Sequence, residues 1–251
     1  MSVQKAVSQY EKTKSQHLED LKKLVRIPSI GFEGFPPETV EKSALAVAAL
    51  LKERGLENVE LLRLDGAHPY VYGDWWHAPG KPTVLLYAHH DVQAIGREHL
   101  WKTQPFEPTE KNGRLFGRGT ADDKAGIVVH TAAIHSWLQA VGKLPINVKV
   151  LIEGEEEIGS PHLTEFLTKF QKKMQADVMV LTDSGNHDTG VPSLTVSLRG
   201  LVAFEIEVKS LERSVHSGML GGAVPDPVIA LCKMVASLTD SEGRIAVPEI
   251  V

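Results

Sequence analysis

With 251 residues, 42% hydrophobic and 24% charged, the chain has apolar material for one or two packed domains. A formal net charge of −5 speaks against nucleic-acid binding, which requires a basic surplus. The single cysteine, Cys232, excludes an intramolecular disulfide and a thiolate zinc cluster, and no apolar run reaches the roughly 18 residues of a membrane span. The lone cysteine and a polar N-terminus without an apolar leader point to a cytoplasmic protein with no membrane partner.

In chain order, Tyr10, His17, Leu18, Leu21 and Val25 fall near helical spacing ahead of Pro28. A Gly/Pro-rich stretch over 31–37 precedes a second helix, with Val40, Ala44, Val47 and Leu51 on one face and Gly55 just past its end. Short β-rich stretches follow at 59–64 and 70–72, and the continuous apolar run 83–88 suits a strand buried on both faces. Residues 124–141 read as a helix ended by Gly142 and Pro145, 146–152 as a strand, 161–170 as a helix and 177–181 as a third buried strand. Apolar strands alternating with helices imply an α/β domain, a mostly parallel sheet flanked by helices, over residues 1–193. Beyond it, 193–198 and 201–209 read as consecutive strands and 225–238 as a helix opened by proline, so residues 194–251 are expected to begin an α+β domain.

Chemistry concentrates where the buried strands end. The first runs into His89-His90-Asp91, the second into Glu153-Gly154-Glu155-Glu156-Glu157, the third into Thr182-Asp183-Ser184-Gly185. Taken singly, an acidic run is usually a solvated patch and an Asp before Ser-Gly a turn former. Ligands in open α/β sheets, however, bind outside the carboxyl ends of the strands, and here three ends deliver metal-competent side chains to one edge. In an extended backbone His89 and Asp91 face one way and His90 the other, so His89 can bind a metal while Asp91 orients it or a neighbour. Adjacent Glu156 and Glu157 allow one ligating carboxylate and one that accepts a proton from water.

The glycine loop 117–124 adds Asp122 and Asp123 ahead of a helix; one acid there could bridge two cations and the other cap the helix. No Gly-Lys-Ser/Thr follows, so a nucleotide-binding loop is disfavoured. His130 and His135 are five residues apart on a helix and cannot chelate together; both are expected at the surface or half-buried. Neither a His-Glu-x-x-His zinc motif nor a Gly-x-Ser-x-Gly elbow is present.

Four motifs, Ala88-His89-His90-Asp91-Val92-Gln93, Gly117-Arg118-Gly119-Thr120-Ala121-Asp122-Asp123-Lys124, Glu153-Gly154-Glu155-Glu156-Glu157-Ile158-Gly159-Ser160 and Val215-His216-Ser217-Gly218, together resemble one metallopeptidase family. It is the two-metal family of carnosinases, cytosolic nonspecific dipeptidases, carboxypeptidase G-type enzymes and acetylornithine deacetylases. The Asp-Val-Gln ending of the first motif and the stretch from Trp101 to Pro108 look most like the dipeptidase branch.

The resemblance implies a zinc-exopeptidase-like catalytic domain followed by the start of a lid and dimerisation domain. It implies two divalent ions, zinc first, with manganese or cobalt as alternatives. His89 and Asp183 would hold one ion, Glu157 the other, and Asp122 both. Glu156 would be the general base and later proton donor, Asp91 its support, and His216 the lid histidine that polarises the scissile carbonyl, in many members across a homodimer. A cis peptide is implied at Asp122–Asp123. The implied reaction is hydrolysis of the amide bond of a dipeptide or short peptide by a hydroxide held between the ions. An N-acyl amino acid deacylase, and a fragment that binds metal or peptide without turnover, are the alternatives. His90 stands where an aromatic or aliphatic residue is usual, and Ala88 where glycine is common. Family members also continue past the position of Val251 to supply a last metal-binding histidine, so the chain is expected to be C-terminally truncated.

Overall fold

The computed structural model describes residues 2–249, which divide after Leu194 into two compact units. In the first, helix α1 (Ser2–Val25) and helix α2 (Pro37–Glu53) precede strands β1 (Glu57–Leu62), β2 (Tyr70–Trp75) and β3 (Thr83–His89). A small hairpin of β4 (Thr109–Lys111) and β5 (Arg114–Phe116) leads into helix α3 (Lys124–Val141). Strand β6 (Asn147–Glu153), short helices α4 (Leu163–Lys169) and α5 (Gln171–Met174), and strand β7 (Val178–Leu181) follow. Pro37 opens α2, where its missing N–H costs nothing, and Gly142 at φ 77° closes α3 in the left-handed conformation that an L side chain resists.

The sheet has the order β1-β2-β6-β3-β7. It is parallel through β6, β3 and β7 and antiparallel at the β1-β2-β6 side, so the architecture is α/β with a mixed sheet. All seven residues of β6 are buried, as a central strand requires. Strand alternation sorts the core into two layers. Val71, Ala88, Val150 and Ile152 pack with Leu24, Val47, Leu51, Ile127 and Ile134 on the face covered by α1, α2 and α3. Tyr70, Tyr72, Leu85 and Leu151 pack with Phe166 and Met174 on the face covered by α4 and α5.

Strand β7 departs from expectation. Its apolar run predicts burial, yet its residues are 41–53% exposed, because it is the edge strand and pairs only with β3. Composition alone does not say which strand is outermost.

The second unit contains helices α6 (Ser217–Leu220) and α7 (Pro227–Ala236). Asp226 caps α7, its carboxylate accepting the Val228 and Ile229 N–H groups at 2.8 and 3.2 Å. The strands expected at 193–198 and 201–209 do not form: among the described residues no ladder partner lies beside them, and Leu194, Val196, Leu198 and Leu201 stay exposed. Alternation shows which face a strand would bury, but a ladder needs a second strand. No helix among the described residues is long and apolar enough to cross a membrane.

Candidate metal centre

Parallel pairing puts the carboxyl ends of β3, β6 and β7 at one edge, with His89 in register with Glu153 and Tyr87 with Leu181. His89 ends β3, Asp183 follows β7, and Asp122 comes from the turn ahead of α3; each offers one ligand atom, all within 4.8 Å of one another. His89 Nε2 lies 3.1 Å from Asp122 Oδ1 and 3.8 Å from both Glu156 Oε2 and Asp183 Oδ2. The His89 ring is fully buried, while Asp122 is largely open. One imidazole and two carboxylates gathered this closely suit a divalent cation of the zinc or manganese type.

The surroundings hold this set in place. His89 Nδ1 faces Asp91 Oδ1 at 3.3 Å and the Asp91 carbonyl at 3.2 Å, which leaves Nε2 aimed at the carboxylates. Burial alone would lower the His89 ring; hydrogen bonding and charge from Asp91, with Asp123 and Glu156, overcome it and push the ring up to about 10. The site thus gathers more negative charge than one histidine neutralises.

Asp91, fully buried, also accepts the N–H groups of Glu156 at 3.3 Å and Glu157 at 3.0 Å, so one carboxylate fixes both the histidine and the glutamate turn. Glu156 is half-buried; burial pushes its carboxyl above the usual range, opposed by His89 and reinforced by Asp183, Glu157 and Asp91. Glu157 lies outside the three-residue cluster, its carboxylate bonded to Gln93.

Asp122 and Asp123 divide their tasks. The peptide between them is cis, and Asp123 turns inward to cap α3, accepting the Gly126 N–H at 3.2 Å and the His89 N–H at 3.3 Å. Burial pushes the Asp123 carboxyl up to about 7. A side chain at Gly126 would collide with that carboxylate and with Thr182 Oγ1, so glycine lets the cap and the β7 end meet. Lys124 is fully buried, its Nζ donating to the carbonyls of Leu24 at 2.9 Å and Ile27 at 2.6 Å and tying the end of α1 to the start of α3.

His90 points away from the cluster to the Pro69 carbonyl at 3.0 Å, and burial pushes it down to about 4. His130, expected at or near the surface, is buried instead, its Nε2 3.0 Å from the Tyr87 carbonyl and 3.1 Å from Thr182 Oγ1. The apolar face of α3 carries it inward. His216 belongs to the second unit, where its Nδ1 accepts the Gly218 N–H at 3.0 Å.

Two residues escape a reading of strand ends. Glu155 looks like one more acid in a solvated run, yet it is buried, accepting the His68 N–H at 2.9 Å and the Tyr70 hydroxyl at 3.4 Å beside His162 Nδ1 at 3.0 Å. Gln93 continues the alternation of His89 and Asp91, and that period of two was the available signal for it.

Residues 85–241 match the model of peptidase family M20/M25/M40. A cysteinylglycine-S-conjugate dipeptidase of Corynebacterium striatum is 36% identical over 211 residues, 84% of this chain and 46% of that protein. A Cys-Gly metallodipeptidase of Schizosaccharomyces pombe is 32% identical over 261 residues, covering 100% of this chain and 55% of its own. Human carnosine dipeptidase 1 superposes with a TM-score of 0.76 at 26% identity, over 100% of this chain and 55% of that structure. The chain spans about half the length of the curated relatives it matches.

Proposed function

Because the chain belongs to peptidase family M20/M25/M40, we propose that the whole protein hydrolyses the amide bond of dipeptides or short peptides with two divalent cations, zinc first among them. The observation that carries this reading is the convergence of His89, Asp122 and Asp183 at the carboxyl edge of the sheet. His89 and Asp183 would hold one cation and Glu157 the other, with Asp122 contributing its carboxylate to both.

Bound there, such cations acidify a water and polarise the scissile carbonyl. Glu156 takes the proton from that water and later passes it to the leaving amine. A carboxyl pushed up by burial suits a group that must accept a proton and release it again. Asp91 keeps the His89 ring and the Glu156–Glu157 turn in place through the contacts described above. His216, on a lid unit assigned to residues 194–251, supplies a donor to the developing oxyanion, across a homodimer of the whole protein. The catalytic unit is assigned to residues 1–193, and the lone Cys232 supports a cytoplasmic setting.

A substrate panel tests the reading. Cys-Gly and carnosine, the substrates that the relatives' names point to, should be cleaved with added Zn2+ or Mn2+, and N-acetyl or N-succinyl amino acids should not. Preferential cleavage of the N-acyl substrates would reassign the protein as a deacylase.

A further inference from the structure

Glu157 is held almost entirely by one short segment of chain. Its N–H donates to Asp91 Oδ2 at 3.0 Å. Its remaining polar atoms are engaged by Gln93: the Gln93 backbone N–H donates to Oε1 at 3.2 Å, and the side-chain amide donates to Oε2 at 2.8 Å and to the Glu157 carbonyl at 3.2 Å. The amide orientation is settled by these partners, since both acceptors face its nitrogen. The Glu157 backbone and both carboxylate oxygens are therefore fixed from residues 91–93, the extension of the strand that carries His89.

We infer that Gln93 is the positioning residue for Glu157, locking its carboxylate in the pose from which it takes the second cation. This rests on the reading of Glu157 as a metal ligand. A carboxylate has about four lone-pair sites. Gln93 occupies one on each oxygen and leaves one on each for a cation, so its bonds orient the group without exhausting it. His89, Asp91 and Gln93 thus bring a ligand, its support and the partner of a second ligand from one short stretch of chain at the end of β3. Removing a hydrogen-bond partner of this kind costs metal affinity about 10–100-fold.

The test is metal affinity rather than turnover. The metal-free whole protein and its Gln93→Met and Glu157→Gln variants are titrated with Zn2+ against a chromogenic chelator, and the melting temperature of each metal-free form is recorded. Gln93→Met keeps side-chain length and the backbone N–H but removes the amide donors. It should raise the dissociation constant of the second equivalent about 10–100-fold, leaving the first equivalent and the metal-free melting temperature unchanged. An unchanged second equivalent in Gln93→Met overturns the inference, as does equal weakening of both equivalents, which would mark Gln93 as a general structural residue. A Glu157→Gln protein that keeps its second equivalent, or a parent whole protein that binds only one, removes the premise about Glu157 and the inference with it.

Discussion

His89 sits without solvent access among Asp91, Asp122, Asp123, Glu156 and Asp183, a concentration of acidic groups that suits a cation. By standing behind Nδ1, Asp91 leaves Nε2 as the ring nitrogen that faces the Asp122 and Asp183 carboxylates. Among the described residues Glu156, unlike its neighbours, has no side-chain hydrogen-bond partner while lying 3.8 Å from His89 Nε2, which leaves its carboxylate free to exchange a proton. Glu156→Ala in the whole protein should therefore lower kcat about 10²–10⁴-fold, with metal content by elemental analysis unchanged. Undiminished turnover would remove Glu156 as the base. The acids after β3, β6 and β7 were legible because apolar runs stop abruptly at them. What the spacing left hidden was the division of labour within runs: Glu155 and Glu156 are adjacent, yet one is buried against His68 and Tyr70 and the other faces the cluster. That difference depends on how the turn after β6 packs, and no local pattern records it.

At the scale of elements, two interfaces position the site. Helix α4 docks through Phe166, fully buried and stacked on Tyr70 with ring centroids 3.9 Å apart, and His162 ahead of that helix contacts Glu155. Phe166→Ala should cost about 3–5 kcal/mol by urea unfolding; a loss below about 1 kcal/mol would mean that α4 is not held by this contact. On the opposite face α1 packs on α3, where His17 lies edge-on to His135 at 5.4 Å beside the buried Asp20–Arg54 ion pair. Burial lowers both histidines; His17 is lowered further by His135 and Arg54, His135 by Arg54, and Asp20 opposes the shift in each. Below their ordinary value of 6.5 the unfolded chain takes up protons that the folded chain refuses, so stability is full above that pH and is lost as pH falls through it. The contribution of this pair should thus fall between pH 7 and pH 5, so over that range the melting temperature of a His17→Asn/His135→Asn double variant should change more favourably than that of the parent chain. An identical change in both would place the acid sensitivity elsewhere. Helices α1, α2 and α3 were legible from period and caps, whereas the strands expected beyond residue 193 were not realised, because their partner is a tertiary property.

For the molecule as a whole, chain order and sheet order together explain why the chemistry gathers at one place. Three parallel strands interleaved with helices bring their carboxyl ends to a common edge, although His89, Asp122 and Asp183 are spread over 95 residue numbers of chain. The chain spans about half the length of its curated relatives, and the His89, Asp122 and Asp183 set is nonetheless assembled within the first unit. The central claim is that this set is a cation site, and diffraction recorded at the zinc absorption edge from crystals grown with zinc tests it most directly. An anomalous peak bonded to His89 Nε2 and to the carboxylates of Asp122 and Asp183 is expected. Zinc found only elsewhere on the protein, with those three side chains unligated, would contradict it.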